Sequence, residues 1–140
     1  MNLRFGLDLV SIASVAQRVA DQGSSYIERI YTAGEIADSR TADAIDAPRL
    51  AERFAVKQAT LKVLPVADED GIDFRAIELV CDEAGRLDVA LHGRAAEVAT
   101  AAGIGRLAVS VTRDDRLAAA VVATEVTGTD GDFEPEATTR

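Results

Sequence analysis

Four polar side chains in the middle of the chain lie at helical spacing and could bind an anion together. They are Arg53, Lys57, Gln58 and Lys62. On a helix, at about 100° per residue, Arg53 lies beside Lys57, and two such cations repel each other unless an anion or a carboxylate lies between them. The segment therefore predicts an anionic partner. The alternative is a core helix whose cations reach solvent through their long stems.

A carboxylate near the N-terminus is the second candidate for chemistry. Residues 3–10 alternate between apolar and polar side chains, which predicts a half-buried strand with Asp8 on its polar face. The apolar face carries Leu3, Phe5, Leu7 and Leu9. Aspartate is a poor strand residue, so Asp8 needs a reason to be there. A metal-binding role and a hydrogen-bonded structural role both remain open.

The central cations must be positioned by a helix that is itself buried. Residues 52–62 are rich in good helix formers and contain neither glycine nor proline, and Pro65 follows them. Apolar residues occupy most sides of this helix, with one stripe through Leu50, Phe54 and Leu61 and a broader one rich in alanine and valine. A helix of this kind is expected to lie inside the fold, where its polar groups need partners.

The remaining elements predict an α+β fold with an antiparallel sheet packed against this central buried helix. Short helices are expected at residues 12–22 and 25–31, and Thr32 with Glu35 forms a capping-box pattern that starts a third. Residues 38–48 are expected to form a loop. Strands are predicted at 76–82, 87–92, 107–112 and 118–126, with a helix at 94–102 and Cys81 as a buried thiol. The sheet therefore comes from both ends of the chain.

Composition indicates one domain in a reducing compartment. The chain has 140 residues, one cysteine and a net charge of -9. The acidic balance argues against nucleic acid or an anionic membrane as partner, and the cytoplasm is the expected location because neither a membrane-spanning run nor an export leader is seen. A domain is predicted over residues 1–126, followed by an acidic tail at 127–140 that is expected to be disordered.

Residues 53–59, Arg-Phe-Ala-Val-Lys-Gln-Ala, resemble the Arg-Phe-Ala-x-Lys-Glu-Ala signature of holo-acyl-carrier-protein synthases. These are short 4′-phosphopantetheinyl transferases. Further segments resemble that family in its own order and spacing: residues 6–10, 26–35, 82–86, 109–112 and 118–120. The resemblance covers roughly residues 3–125. It implies a 4′-phosphopantetheinyl transferase-like fold and a homotrimer whose active clefts lie between neighbouring subunits.

The resemblance also implies a reaction and a set of site residues. In the family, 4′-phosphopantetheine moves from coenzyme A to a serine of an acyl carrier protein, with Mg²⁺ bridging the diphosphate. Carried over, Asp8 and Gln58 are the metal ligands, and the catalytic residues are Asp8, Gln58, Lys62 and Arg113. The cofactor-binding residues are Arg53, Lys57, Lys62, Gly85, Arg86, Ser110 and Thr112. Arg18 and Arg29 fall in the region where the family docks its acidic carrier protein. On charge patterning alone, a docking patch and two solvated surface arginines both remain open.

The chain departs from the family pattern at four places. Gln58 replaces a glutamate, Arg113 replaces a histidine, and Leu87 replaces a proline. Residues 63–65, Val-Leu-Pro, replace a glycine-rich turn, and proline has no amide hydrogen to offer a phosphate.

Three hypotheses about function follow from these departures. In the first, transfer persists with altered metal dependence, and Arg113 and Lys57 offset the charge that Gln58 lacks. In the second, the chain has lost transfer and uses the cleft for another reaction, or to bind a carrier protein or an acyl ligand. In the third, it is a structural subunit of a larger synthase, which no residue specifically favours.

Overall fold

The computed structural model describes residues 2–67 and 71–127 and confirms the α+β fold. The sequence also predicts an exposed turn at residues 68–71. Its first three residues and all but the first residue of the predicted tail lie outside this part of the chain. The helices are α1 (Ile12–Gln22), α2 (Ser24–Ile30), α3 (Ala33–Asp38), α4 (Ala47–Val63) and α5 (Gly93–Ala101). The strands are β1 (Asn2–Ser11), β2 (Ile77–Cys81), β3 (Leu87–Leu91), β4 (Ile104–Arg113) and β5 (Leu117–Val126). In the described residues no helix is long and apolar enough to cross a membrane.

Strands from both ends of the chain form one antiparallel sheet, as the alternating segments predicted. Its order is β1-β5-β4, so the N-terminal strand pairs with the last one. Asp8 pairs with Ala120, which in turn pairs with Val111. The β2–β3 hairpin forms a second, two-stranded sheet. This topology places Asp8 on one edge strand of the larger sheet and Arg113 on the opposite edge strand.

Helix α4 is the buried centre of the fold, as its apolar stripes predicted. Leu50, Ala55 and Val56 are completely buried, and Val63 near its C-terminal end is too. The helix begins at Ala47, inside the predicted loop at residues 38–48. A proline in the first turn explains the earlier start, because proline lacks only an amide hydrogen that has no partner there.

The inner face of β1 packs directly on α4 at Gly6. A Cβ atom added at Gly6 would lie 1.9 Å from the carbonyl oxygen of Ala59 and 3.1 Å from a methyl carbon of Val63. Only glycine allows the strand to approach the helix backbone this closely. Since alternate strand residues share a face, the contact at Gly6 also turns Asp8 toward the C-terminal half of α4.

Replacing Gly6 with alanine is expected to destabilise the fold by about 3 kcal/mol, because a methyl group would overlap backbone atoms that cannot move aside. Gly105→Ala is the matched control, since a Cβ there meets no atom within 4 Å. Urea unfolding of both variants measures the difference. Equal midpoints for Gly6→Ala and Gly105→Ala would contradict the close packing.

The other face of β1 carries large apolar side chains that the single chain leaves exposed. The exposed fractions are 54% for Leu3, 64% for Phe5, 60% for Leu7 and 62% for Leu9. The face of β1 that packs inside the chain is therefore its polar face, which carries Asp8, and the apolar face is the exposed one. Through the register of the sheet, Leu7 lies in the same row as Ser110, and Leu9 in the same row as Thr112. Paired residues share a face, so both hydroxyl groups lie on this outer apolar surface.

Candidate active site

A carboxylate and an ammonium group lie together where β1 meets the C-terminal half of α4, with an amide one helical turn away along α4. The Nζ atom of Lys62 is 3.2 Å from Oδ1 of Asp8 and donates a hydrogen bond of 2.7 Å to the carbonyl oxygen of Leu7. The Lys62 side chain is 54% exposed and the Asp8 side chain 19%. Gln58 is half-buried and lies one helical turn before Lys62. Below, these three residues are called the acidic-edge cluster.

The acidic-edge cluster offers few ligands for a magnesium ion. Asp8 supplies its one carboxylate and Gln58 an amide oxygen. In the described residues, no group of three or more His, Cys, Asp or Glu side chains could hold a metal. Magnesium commonly binds one or two carboxylates and completes its shell with water and substrate phosphates. These side chains therefore fit a magnesium ion shared with a diphosphate and do not fit a site made by protein ligands alone.

Lys57 does not join this cluster, and its expected contact with phosphate is corrected. Its side chain is completely buried, and its Nζ atom lies 2.6 Å from Oε1 of Glu35. It also donates to the carbonyl oxygens of Phe74, at 2.9 Å, and Ile77. These bonds use all three ammonium protons. Burial lowers the pKa of Lys57, and the carboxylate of Glu35 opposes that shift.

Glu35 is a structural residue that the sequence identified only in part. The predicted capping box is confirmed, with Thr32 and Glu35 each bonding to the other's backbone amide. The completely buried carboxylate also accepts from Lys57 and, at 3.1 Å, from the backbone amide of Leu79. The sequence predicted an anion beside the cation pair Arg53 and Lys57, and at Lys57 that anion is the carboxylate of Glu35.

Arg53 and Arg113 line a cavity of about 440 Å³ between the first turns of α4, the β2–β3 hairpin and the end of β4. Arg53 is 7% exposed, and its Nη2 atom is 3.8 Å from a carboxylate oxygen of Asp38. Arg113 is held by Glu52, with 3.0 Å between Nη1 and Oε1. This space is called the arginine cavity below.

Two expectations change at the arginine cavity. The charge of Arg113 is already matched by Glu52, so its guanidinium is not free to replace charge missing at Gln58. Cys81 lines the cavity and is exposed, although the sequence predicted a buried thiol. It is exposed because the last residues of β2 extend beyond the core.

The other residues that the resemblance predicts to bind the cofactor lie near this cavity or on the outer sheet face. Gly85 has a φ of 81°, in the region that favours glycine, and forms the predicted hairpin turn. Arg86 in the same turn is 83% exposed and is held by Asp82 at 2.8 Å. Ser110 and Thr112 lie on the exposed outer face of β4.

The two groups of candidate residues are separated within one chain. Arg53 and Lys62 are nine positions apart on α4. At 1.5 Å per residue this is about 13 Å along the helix axis. In the sheet, Asp8 and Arg113 lie on opposite edge strands, two strand spacings apart, which is about 10 Å. The acidic-edge cluster and the arginine cavity of one chain are therefore about 10–13 Å apart at the backbone.

Comparisons with known proteins agree with the motifs. The family model described as the 4′-phosphopantetheinyl transferase superfamily matches residues 4–122. A holo-[acyl-carrier-protein] synthase of Chloroflexus aurantiacus is 39% identical over 131 residues, covering 86% of this chain and 96% of that protein. One of Koribacter versatilis is 33% identical over 126 residues, covering 89% of this chain and 99% of that protein.

Solved structures agree with the fold as well. The complex of coenzyme A with the synthase of Chronobacterium ammoniagenes superposes with a TM-score of 0.78 at 28% identity, covering 91% of this chain and all of that one. The Helicobacter pylori holo-[acyl-carrier-protein] synthase in complex with coenzyme A gives 0.74 at 25% identity, with 87% and 100% covered. The family model and the relatives each extend over most of the chain, so it belongs to the holo-acyl-carrier-protein synthase type of the 4′-phosphopantetheinyl transferase superfamily.

Proposed function

We propose that this chain transfers 4′-phosphopantetheine from coenzyme A to a serine of an acyl carrier protein. The observation that carries this proposal is the contact between Asp8 and Lys62 in a fold shared with synthases solved in complex with coenzyme A. Asp8 supplies a carboxylate that would hold a magnesium ion, and a bound magnesium ion would supply positive charge to offset that of the phosphates. Lys62 supplies a half-exposed cation that can face the diphosphate of coenzyme A or the leaving group.

Loss of transfer is the less favoured alternative. The relatives described above are named as synthases, and this chain aligns with almost their whole length. Gln58 weakens the metal site without removing its carboxylate, because Asp8 remains. The reaction proposed here therefore still uses magnesium, which would be held by Asp8 with help from the amide oxygen of Gln58. It needs a higher magnesium concentration than a synthase with a glutamate at position 58.

Gln58→Glu is expected to tighten magnesium binding by about tenfold, because it adds a second carboxylate beside Asp8. Calorimetric titration of both forms with magnesium measures this effect. Glu97→Gln, a change in the opposite sense at a surface position on α5, is expected to leave the affinity unchanged. Equal magnesium affinity for the natural protein and Gln58→Glu would remove position 58 from the metal shell.

The active unit is proposed to be a homotrimer with clefts between neighbouring subunits. The outer face of the sheet supports this, because its exposed leucines and phenylalanine need cover, and an apolar surface of this kind is typical of an interface. The separation of the acidic-edge cluster from the arginine cavity is a second support. A cleft that joins the cluster of one subunit to the cavity of the next brings both groups onto one coenzyme A.

Phe5→Asp is expected to convert the trimer into monomers, because three carboxylates would be buried in an apolar contact. Light scattering at micromolar concentration is expected to give three times the 14.8 kDa chain mass for the natural protein and a single chain mass for the variant. Val80→Asp, on the β2–β3 hairpin, is the control for adding a charge at an exposed apolar position. A monomeric natural protein would contradict the two-subunit cleft.

The proposed partner is an acidic acyl carrier protein, although this chain is itself acidic. Docking therefore depends on a local basic patch, for which Arg18 on α1 and Arg29 on α2 remain the candidates. Arg29 donates to Gln22 at 3.1 Å and keeps its charge available because no carboxylate is paired with it among the described contacts.

The proposed domain covers residues 1–126, and the proposed location is the cytoplasm.

A double variant separates transfer from its loss. Gln58→Glu with Arg113→His restores the family carboxylate and histidine together. Transfer to an apo carrier protein by the natural chain supports the proposal directly. Transfer by the double variant alone would show that the fold and cleft are intact and that the natural protein has left the family reaction.

A further inference from the structure

The arginine cavity contains a buried guanidinium donor without an acceptor among the described residues. The Nε atom of Arg53 is buried and has no hydrogen-bond partner, while Nη1 donates to the carbonyl oxygen of Arg49 at 3.2 Å. A buried donor left unpaired destabilises the fold, and an acceptor on a bound ligand would remove that cost. The cavity of about 440 Å³ has room for such a ligand. Its free donor selects an anion or another strong acceptor.

The other two arginines of the cavity are already occupied by carboxylates of the chain. Arg113 contacts Glu52 at 3.0 Å and reaches Asp46 only at 4.0 Å. Arg49 lies 3.4 Å from Asp46. An anion that enters the cavity must therefore share Arg113 with Glu52 or displace it. Glu52 is 23% exposed, so it is partly shielded from solvent and competes at close range.

We propose that Glu52 is an internal competitor for the phosphate on the ribose of coenzyme A, and that it sets the affinity of the arginine cavity for that group. The proposal rests on the proposed function. Coenzyme A carries two phosphate-bearing groups, and the acidic-edge cluster with magnesium takes the diphosphate. The arginine cavity then takes the remaining phosphate, whose terminal oxygens suit the paired donors of Arg53 and Arg113.

Glu52→Gln tests this competition because it removes the charge and keeps an oxygen that can hold Arg113 in place. Coenzyme A is expected to bind the variant about fivefold more tightly, the size of effect that one partly exposed ion pair supports. Dephospho-coenzyme A, which lacks the ribose phosphate, is expected to change by less than about twofold. Calorimetric titration of the assembled protein with each compound measures these affinities, and no transfer step is involved.

A second change asks whether the effect acts through Arg113. In an Arg113→Gln background, Glu52→Gln is expected to alter coenzyme A binding by less than about twofold, since the competed cation is gone. Glu97→Gln, the same charge change on α5 at a side chain 72% exposed, controls for net charge and is expected to have no effect.

Two results would overturn the inference. One is unchanged coenzyme A affinity in Glu52→Gln. The other is an equal gain for coenzyme A and dephospho-coenzyme A, which would place the cavity at the diphosphate or away from the cofactor. A chain that binds coenzyme A as expected but transfers nothing would contradict the proposed function and leave the competition by Glu52 supported.

Discussion

Lys57→Met is expected to reduce the free energy of unfolding by about 3–5 kcal/mol, because it leaves the carboxylate of Glu35 buried without its cation. Both side chains are completely inaccessible to solvent, and Nζ lies 2.6 Å from Oε1 of Glu35. The backbone carbonyl of Phe74 loses a donor at the same time. Chemical unfolding followed by circular dichroism measures the loss.

Lys62→Met is the matched control for this prediction. It makes the same chemical change on the same helix, at a side chain that is 54% exposed. A half-exposed ion pair contributes about 1 kcal/mol or less, so this variant should unfold close to the natural protein. The double variant Lys57→Met with Glu35→Gln should recover part of the loss, since the unpaired charge is gone. Equal stability of Lys57→Met and Lys62→Met would contradict the assignment of Lys57 to the core.

Asp8→Ala is expected to reduce phosphopantetheine transfer by a hundredfold or more, because it removes the only carboxylate of the acidic-edge cluster. Removing one preorganised group that stabilises charge in an oxyanion hole commonly costs about 10²–10³ in rate, and we expect an effect of that size at a transferring phosphoryl centre. Lys62→Ala is expected to cause a loss of similar size, since Lys62 supplies the cluster's positive charge. Initial rates at saturating coenzyme A and magnesium measure both effects.

The loss in Asp8→Ala must come from chemistry rather than from unfolding. Asp8 is paired only with a half-exposed lysine among the described contacts, so its removal should leave the unfolding midpoint nearly unchanged. Glu97→Gln removes a carboxylate charge from the surface of α5 and should retain full transfer. Wild-type rates in Asp8→Ala at every magnesium concentration would exclude Asp8 from the reaction.

Local patterns were enough to predict most of the fold. Alternation identified both ends of the large sheet, and the apolar stripes of residues 52–62 predicted a buried helix. The Thr32–Glu35 capping box depends on residues three apart, so the sequence alone could show it. The family motifs predicted Asp8 and Lys62 as site residues, and the fold brings their side chains within 3.2 Å of each other.

Pairings between distant segments could not be predicted in the same way. The repulsion between Arg53 and Lys57 predicted an anion without saying which, and Glu35 is 22 positions from Lys57 in the chain. The pairing of Arg113 with Glu52 joins β4 to α4 and leaves no periodic signal. The exposed face of β1 is a further example, because its apolar side chains stay uncovered within one chain and only the proposed contact between subunits would account for them.

Phosphopantetheine transfer can be read from the mass of an apo acyl carrier protein after incubation with this protein, coenzyme A and magnesium. We expect the carrier to gain the mass of one phosphopantetheine group. The gain should disappear when the acceptor serine of the carrier is alanine, and when the enzyme is Asp8→Ala. A carrier that keeps its apo mass with the natural protein, at saturating magnesium and with several acidic carriers, would contradict the proposed transfer.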